Sequence, residues 1–171
     1  PLEFRRVSSR FTNSRFHPIL KTWRSHRGVD YAAASGSEVM ATADGVVTHR
    51  GRLGDLGNAV AIRHPNGFIT RYGHMSRFNA KVRTGTRVRQ GDVIGYVGMT
   101  GLATGPHLHY ELWRGGRPLD PLGVNLPPGD PVPTSDRARW EAESAFRVAL
   151  LDRGASDRVL ALAEAEDVVA L

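Results

Sequence analysis

The stretch Gly105-Pro106-His107-Leu108-His109-Tyr110-Glu111 constrains the fold more tightly than any other part of the chain. Leu108, Tyr110 and Leu112 alternate with His107, His109 and Glu111, the period-two pattern of a strand with one apolar and one polar face. On such a strand His107, His109 and Glu111 project from one side, with neighbouring side chains about 7 Å apart. Both imidazoles reach one metal, or one binds metal while its neighbour handles protons, or the two are simply structural; partners elsewhere in the chain decide. The preceding Thr100–Pro106 loop carries two glycines and a proline, which fixes how His107 enters the strand.

Upstream, residues 39–97 read as a β-meander, with candidate strands at 39–41, 45–50, 59–64, 68–74 and 92–97. Asn66-Gly67 between two apolar runs is a strong hairpin signal. No long helical periodicity interrupts the region, so the connections predict antiparallel sheet. Residues 82–95 carry two similar Val/Gly turns, as in the hairpin barrels of lipoyl and biotinyl carriers. A carrier needs a modifiable lysine at a hairpin tip, and Lys81 precedes the repeat instead, so the segment reads as scaffold. The opening residues 1–24 show no clear periodicity and read as short extended pieces pinned by Phe11, Phe16 and Trp23.

Composition excludes several classes. There is no cysteine, so any metal must be held by histidine and carboxylate. No apolar run approaches the roughly 18 residues that span a bilayer. The chain begins at Pro1 rather than methionine, so the true N-terminus is expected upstream, and the absence of an export signal, anchor or further domain from these residues decides nothing. Residues 1–133 hold 18 Lys+Arg against 9 Asp+Glu, and residues 134–171 hold 5 against 8. A basic body suits an anionic partner, but no compact Lys/Arg block with interleaved aromatics points to nucleic acid.

The chain divides by composition into a body at 1–126, a Pro-rich linker at 127–133 and a helical tail at 134–171. Ser135-Asp136 resembles a helix cap, and Ala138, Ala142, Ala145, Phe146, Ala149 and Leu150 recur at helical spacing. A second helix is predicted from Ser156-Asp157 to about residue 169. The acidic tail is expected to dock on the basic body, a protein partner or another copy.

Seven histidines are present. His49 and His64 flank turns and are expected at the surface, and His17 reads as structural. His74 ends a strand after Gly73, where a side chain can be aimed into a cleft. His26 and Asp30 are four residues apart, and Gly28-Val29 between them argues against helix and for a strand or strand-like turn. If His26, Asp30 and His109 share one zinc, two imidazoles and a carboxylate leave a fourth position for water, whose pKa falls toward about 7. His74 and His107 would then stand beside it to move protons or stabilise an oxyanion.

His26-x-x-x-Asp30, Gly73-His74-Met75 and Gly105-Pro106-His107-Leu108-His109-Tyr110-Glu111 resemble the motifs of lysostaphin-type (LytM-like) zinc metallopeptidases. Ser9-Arg10-Phe11, Arg15-Phe16-His17-Pro18, Thr42–Val47 and Gly91–Gly95 extend the resemblance over residues 8–122. It implies a mainly β fold, with two antiparallel sheets and a groove over one of them. By motif, one zinc per chain is held by His26, Asp30 and His109, while His107 and His74 are catalytic. Such enzymes cut peptide cross-links of bacterial peptidoglycan. One departure is the lack of a tyrosine in residues 18–25, where lysostaphin-like members carry one before the first zinc histidine. Oxyanion help then falls to His74, His107 or an arginine such as Arg15, and Arg15 and Tyr72 are candidate substrate-binding residues.

The arginine- and histidine-rich start is more similar to envelope endopeptidases of Gram-negative bacteria, implying a periplasmic site and D-alanyl–diaminopimelate cross-links. The stem peptides' free carboxylates would suit the basic body. A silent, wall-binding activator on the same fold is the alternative. Glu111 is expected to support a ligand or line the groove.

Overall fold

In a computed structural model, residues 1–4, 6–16, 21–125 and 133–149 are described. Contacts divide the chain into two compact units, residues 1–125 and 126–171. Among the described residues the first unit contains thirteen strands: β1 Arg6–Ser9, β2 Thr12–Phe16, β3 Trp23–His26, β4 Val29–Ala32, β5 Glu38–Met40, β6 Gly45–Arg52, β7 Asn58–Arg63, β8 Phe68–Gly73, β9 Met75–Phe78, β10 Arg87–Val88, β11 Val93–Val97, β12 His107–Arg114 and β13 Arg117–Leu119.

An eight-stranded sheet runs β1-β4-β12-β8-β7-β6-β10, with β13 also paired to β12. A three-stranded sheet runs β5-β11-β9, and β2 and β3 form a separate hairpin. Every described pairing is antiparallel, as the short connections predict. The core lies between the two larger sheets. Tyr72, Leu108, Tyr110 and Ile62 meet Val39, Met75, Ile94 and Val97 across it, which buries one face of each sheet.

Pairing register decides which side chains reach the other face of the large sheet. Leu108 lies opposite Tyr31 on β4 and Tyr110 lies opposite Tyr72 on β8, and all four enter the core. By alternation, His109 and Glu111 face outward, opposite Asp30 and Arg71 respectively. Cross-strand partners of this kind have Cβ atoms about 5 Å apart, so the outer face assembles from residues distant in sequence.

Two expectations fail here. Phe16 and Trp23 pack edge to face with centroids 6.1 Å apart, but they remain 54% and 71% exposed. The hairpin therefore carries this aromatic pair outward instead of being pinned by it, whereas Phe11, the third residue expected to pin the segment, is half-buried. His64 is buried, not at the surface, because its Nδ1 donates to the Asp44 carbonyl at 2.7 Å and its Nε2 bonds the Thr70 hydroxyl at 2.8 Å. Both ring nitrogens are satisfied, which removes the cost of burying them.

Residues 134–149 are helical, as expected for the first part of the tail. The second predicted helix and all of the linker except Pro133 lie outside the described residues. No helix among the described residues is long and apolar enough to cross a membrane.

Candidate metal centre and active site

A groove of about 730 Å³ crosses the outer face of the large sheet. His107, His109, Glu111 and Trp113 form its floor along β12, with Asp30 and Arg71 beside them. Ser9, Arg15, Arg24, His26 and Arg27 also line it, together with His74 and residues 53–56 and 102–104.

His26 ends β3 and Asp30 lies in β4, with Arg27-Gly28 turning between them. They therefore flank a turn between two strands, the turn-like form of the expected arrangement, and it is the turn that brings them together. A Cβ at Gly28 would stand 2.4 Å from the Tyr110 carbonyl oxygen and 2.9 Å from His109 Nε2. Only glycine allows the turn to cross β12 this closely.

His26 Nε2, Asp30 Oδ1 and His109 Nδ1 converge within this buried corner. Asp30 Oδ1 lies 3.0 Å from His26 Nε2 and 2.7 Å from His109 Nδ1, and the two nitrogens are 3.2 Å apart. A tetrahedral zinc with ligands at about 2.0–2.1 Å has ligand–ligand edges of about 3.3 Å, so small adjustments would fit this triangle to the ion. The remaining ring nitrogens are committed elsewhere. His26 Nδ1 donates to the Arg10 carbonyl at 2.8 Å, and His109 Nε2 faces Glu111 Oε1 at 3.2 Å. Histidine metal ligands are oriented in this way, through the ring nitrogen that does not bind.

The electrostatics favour a cation. Burial alone would raise the Asp30 pKa, but hydrogen bonds from His109 and His26 hold it well below the usual carboxylate range. Burial works against charge on His109, yet its bonds to Asp30 and Glu111 push it up to about 9. A site that stabilises positive charge between carboxylates meets the electrostatic condition for holding a divalent ion.

His74 and His107 stand beside the triangle, with ring centroids 4.6 Å apart. His74 occupies the left-handed region at φ 61°, and its backbone N–H donates to the Leu56 carbonyl at 2.7 Å. Its Nδ1 donates to the Thr100 carbonyl at 2.7 Å, and His107 Nδ1 donates to the Gly105 carbonyl at 2.8 Å. In its neutral form each ring therefore presents Nε2 as the lone pair, and His107 Nε2 lies 3.7 Å from Asp30 Oδ1. Burial lowers the His74 pKa to about 4, so that ring is neutral near pH 7. The Thr100 loop is held close to residues 55–57: at Gly101, with φ 76°, a Cβ would come 2.4 Å from the Gly57 nitrogen.

Arg15 reaches the groove from β2, bonds the Ser9 hydroxyl, and places Nη2 3.8 Å from Asp30 Oδ2. Tyr72 does not reach the groove. Its register against Tyr110 turns it into the core, where it is 0% exposed, and its neighbour Arg71 takes the groove position instead. Arg71 and Trp113 escape the sequence reading. Trp113 continues the alternation of β12 and was legible there, whereas Arg71 needs the register between β8 and β12. His49 is half-buried away from the groove, and His17 lies outside the described residues.

Comparison with known proteins fits this arrangement. DD-carboxypeptidase/endopeptidase Mpg of Neisseria meningitidis serogroup B is 50% identical over 153 residues, covering 90% of this chain and 34% of Mpg. Peptidoglycan DD-endopeptidase ShyC of Vibrio cholerae is 42% identical over 153 residues, covering 90% of this chain and 35% of ShyC. The chain thus spans about a third of the length of these relatives. The crystal structure of a zinc-containing peptidase from Vibrio cholerae superposes with a TM-score of 0.68 at 35% identity, over 74% of this chain and 39% of that one. Residues 24–121, more than half of the chain and inclusive of all five converging residues, match the profile of Peptidase family M23, and the chain belongs to that family.

Proposed function

We propose that this chain carries the catalytic domain of a zinc-dependent endopeptidase that hydrolyses peptide cross-links of bacterial peptidoglycan, at D-alanyl–diaminopimelate bonds in the periplasm. The observation that carries this reading is the convergence of His26 Nε2, Asp30 Oδ1 and His109 Nδ1 beside two histidines whose neutral rings present Nε2 lone pairs. The relatives named for DD-endopeptidase activity and the zinc-containing neighbour support it. One zinc would be held by His26, Asp30 and His109, and when bound it supplies Lewis-acid polarisation of water and of the scissile carbonyl.

The chain's own groups supply the proton chemistry. His107 Nε2 takes a proton from the attacking water and returns it to the departing amine nitrogen. Its Nδ1–H bond to Gly105 holds the ring for both steps. His74, kept neutral by burial, orients the water through its Nε2 lone pair. Arg15 partly neutralises the outer oxygen of Asp30, and its guanidinium can bind an oxyanion or a substrate carboxylate. Arg24, Arg27 and Arg71 also line the groove, which suits a stem peptide bearing free carboxylates.

The test is mass analysis of cross-linked muropeptides incubated with the protein, with zinc and with a chelator. Release of uncross-linked peptides with free D-alanyl carboxylates, lost on chelation and restored by zinc, is the expected result. No turnover with zinc present would favour the silent activator instead.

A further inference from the structure

Glu111 is the charged floor residue to which the hydrolysis gives no direct task. Its side chain is 7% exposed and gathers three donors. Trp113 Nε1–H donates to Oε2 at 2.6 Å, Arg71 Nη1 approaches the same oxygen at 3.4 Å, and His109 Nε2 faces Oε1 at 3.2 Å. Arg71 also lies over the Trp113 ring, 4.3 Å from its centroid. The arrangement follows from the strands: residues 109, 111 and 113 alternate onto one face of β12, and Arg71 is the cross-strand partner of Glu111 on β8.

Because Oε2 is engaged by Trp113 and Arg71, Oε1 is the oxygen left for His109. An ionised carboxylate can only accept, so His109 must present an N–H at Nε2. Its Nδ1, 2.7 Å from Asp30 Oδ1, shares a proton with that carboxylate when no metal is bound and is the nitrogen whose lone pair a metal displacing that proton would take, beside His26 and Asp30. We propose that Glu111, clamped by Trp113 and Arg71, is a positioning residue that selects which nitrogen of His109 faces His26 and Asp30. The proposal rests on reading those three residues as metal ligands.

Glutamine at this position separates the role from simple charge. A carboxamide keeps the shape of the carboxylate but has one accepting and one donating terminal atom. The oxygen would turn to Trp113 and Arg71, leaving the amide NH₂ against His109 Nε2. That favours a lone pair at Nε2 and a proton at Nδ1, where it competes with metal. Removing the indole N–H should release the amide oxygen to face His109.

The experiment measures zinc and cobalt(II) affinity of the full chain by competition with a chromophoric chelator, for wild type, Glu111→Gln, Trp113→Phe and the double variant. Far-UV circular dichroism of the chelated proteins checks that each is folded. Glu111→Gln is expected to weaken binding about 10–100-fold, and Trp113→Phe alone about five-fold or less. In the Glu111→Gln background, Trp113→Phe should strengthen binding, reversing its sign. Wild-type affinity in Glu111→Gln overturns the inference and leaves the metal site standing. A double variant no better than Glu111→Gln assigns the loss to charge and also overturns it. A wild type that binds neither metal overturns the inference together with the metal reading beneath it.

Discussion

Tyr72→Phe distinguishes a core residue from a groove residue most directly. The Tyr72 hydroxyl accepts the Thr42 backbone N–H at 3.0 Å and the Thr70 hydroxyl at 3.0 Å, and it lies 3.0 Å from the Thr42 hydroxyl. The Thr42 hydroxyl also bonds Tyr110, and the Thr70 hydroxyl also bonds His64 Nε2. Both hydroxyls therefore keep a partner when the Tyr72 oxygen is removed, and the Thr42 N–H is the group left without one. Stranding one buried donor costs about 1–3 kcal/mol. A central value of about 2 kcal/mol lowers the melting temperature of a domain this size by roughly 6–10 °C. The assay pairs a thermal melt at saturating zinc with kinetics on a cross-linked muropeptide at 25 °C. kcat/KM is expected to stay within about two-fold of wild type, since no interaction with substrate is lost. A ten-fold rise in KM at unchanged melting temperature would place the Tyr72 ring in the groove and refute the register argument.

Other perturbations address the site itself. His107→Ala should retain the metal and lower kcat/KM by about 10²–10⁴-fold, read by metal content and muropeptide release on one preparation. Asp30→Asn removes the carboxylate shared by His26 and His109 and should weaken zinc binding by at least ten-fold, measured by chelator competition. Gly28→Ala puts a methyl group against the Tyr110 carbonyl and His109. It should lose both metal affinity and melting temperature, where a purely flexible turn would lose neither. Protein stripped of metal by a chelator should melt highest near pH 6.5. His74 titrates near 4 when folded and 6.5 when unfolded, so the unfolded chain binds the extra proton and stability falls as pH drops from 6.5 toward 4. His109 titrates near 9 when folded, so its contribution is complete below 6.5 and is lost as pH rises toward 9. His74→Ala should flatten the acid limb of a melting-temperature profile, and an unchanged profile would contradict the burial of a neutral imidazole.

How much of this was readable in the chain depends on whether a residue's role is local. The alternation of residues 107–112 is a local property of one strand, and it correctly separated the core side chains Leu108, Tyr110 and Leu112 from the outward His107, His109 and Glu111. His26 and Asp30 were legible as a pair through the motif, and the structure brings them together by a turn between two strands. Tyr72 was misplaced as a substrate-binding residue, although the strand's own alternation carries its side. Gly73 and the left-handed His74 end the strand, and alternation from Phe68 through Thr70 already points Tyr72 inward. His64 looked exposed for a different reason: its satisfying partners, the Asp44 carbonyl and Thr70, belong to a turn and a strand whose approach no local pattern reveals. The same limit applies to protonation. That His74, His107 and His26 each give up Nδ1–H to a carbonyl, of Thr100, Gly105 and Arg10, depends on backbone groups that any residue type supplies. Sequence can therefore name the imidazoles of such a site, whereas the nitrogen each one offers is decided by folded backbone and, for His109, by the Glu111 side chain.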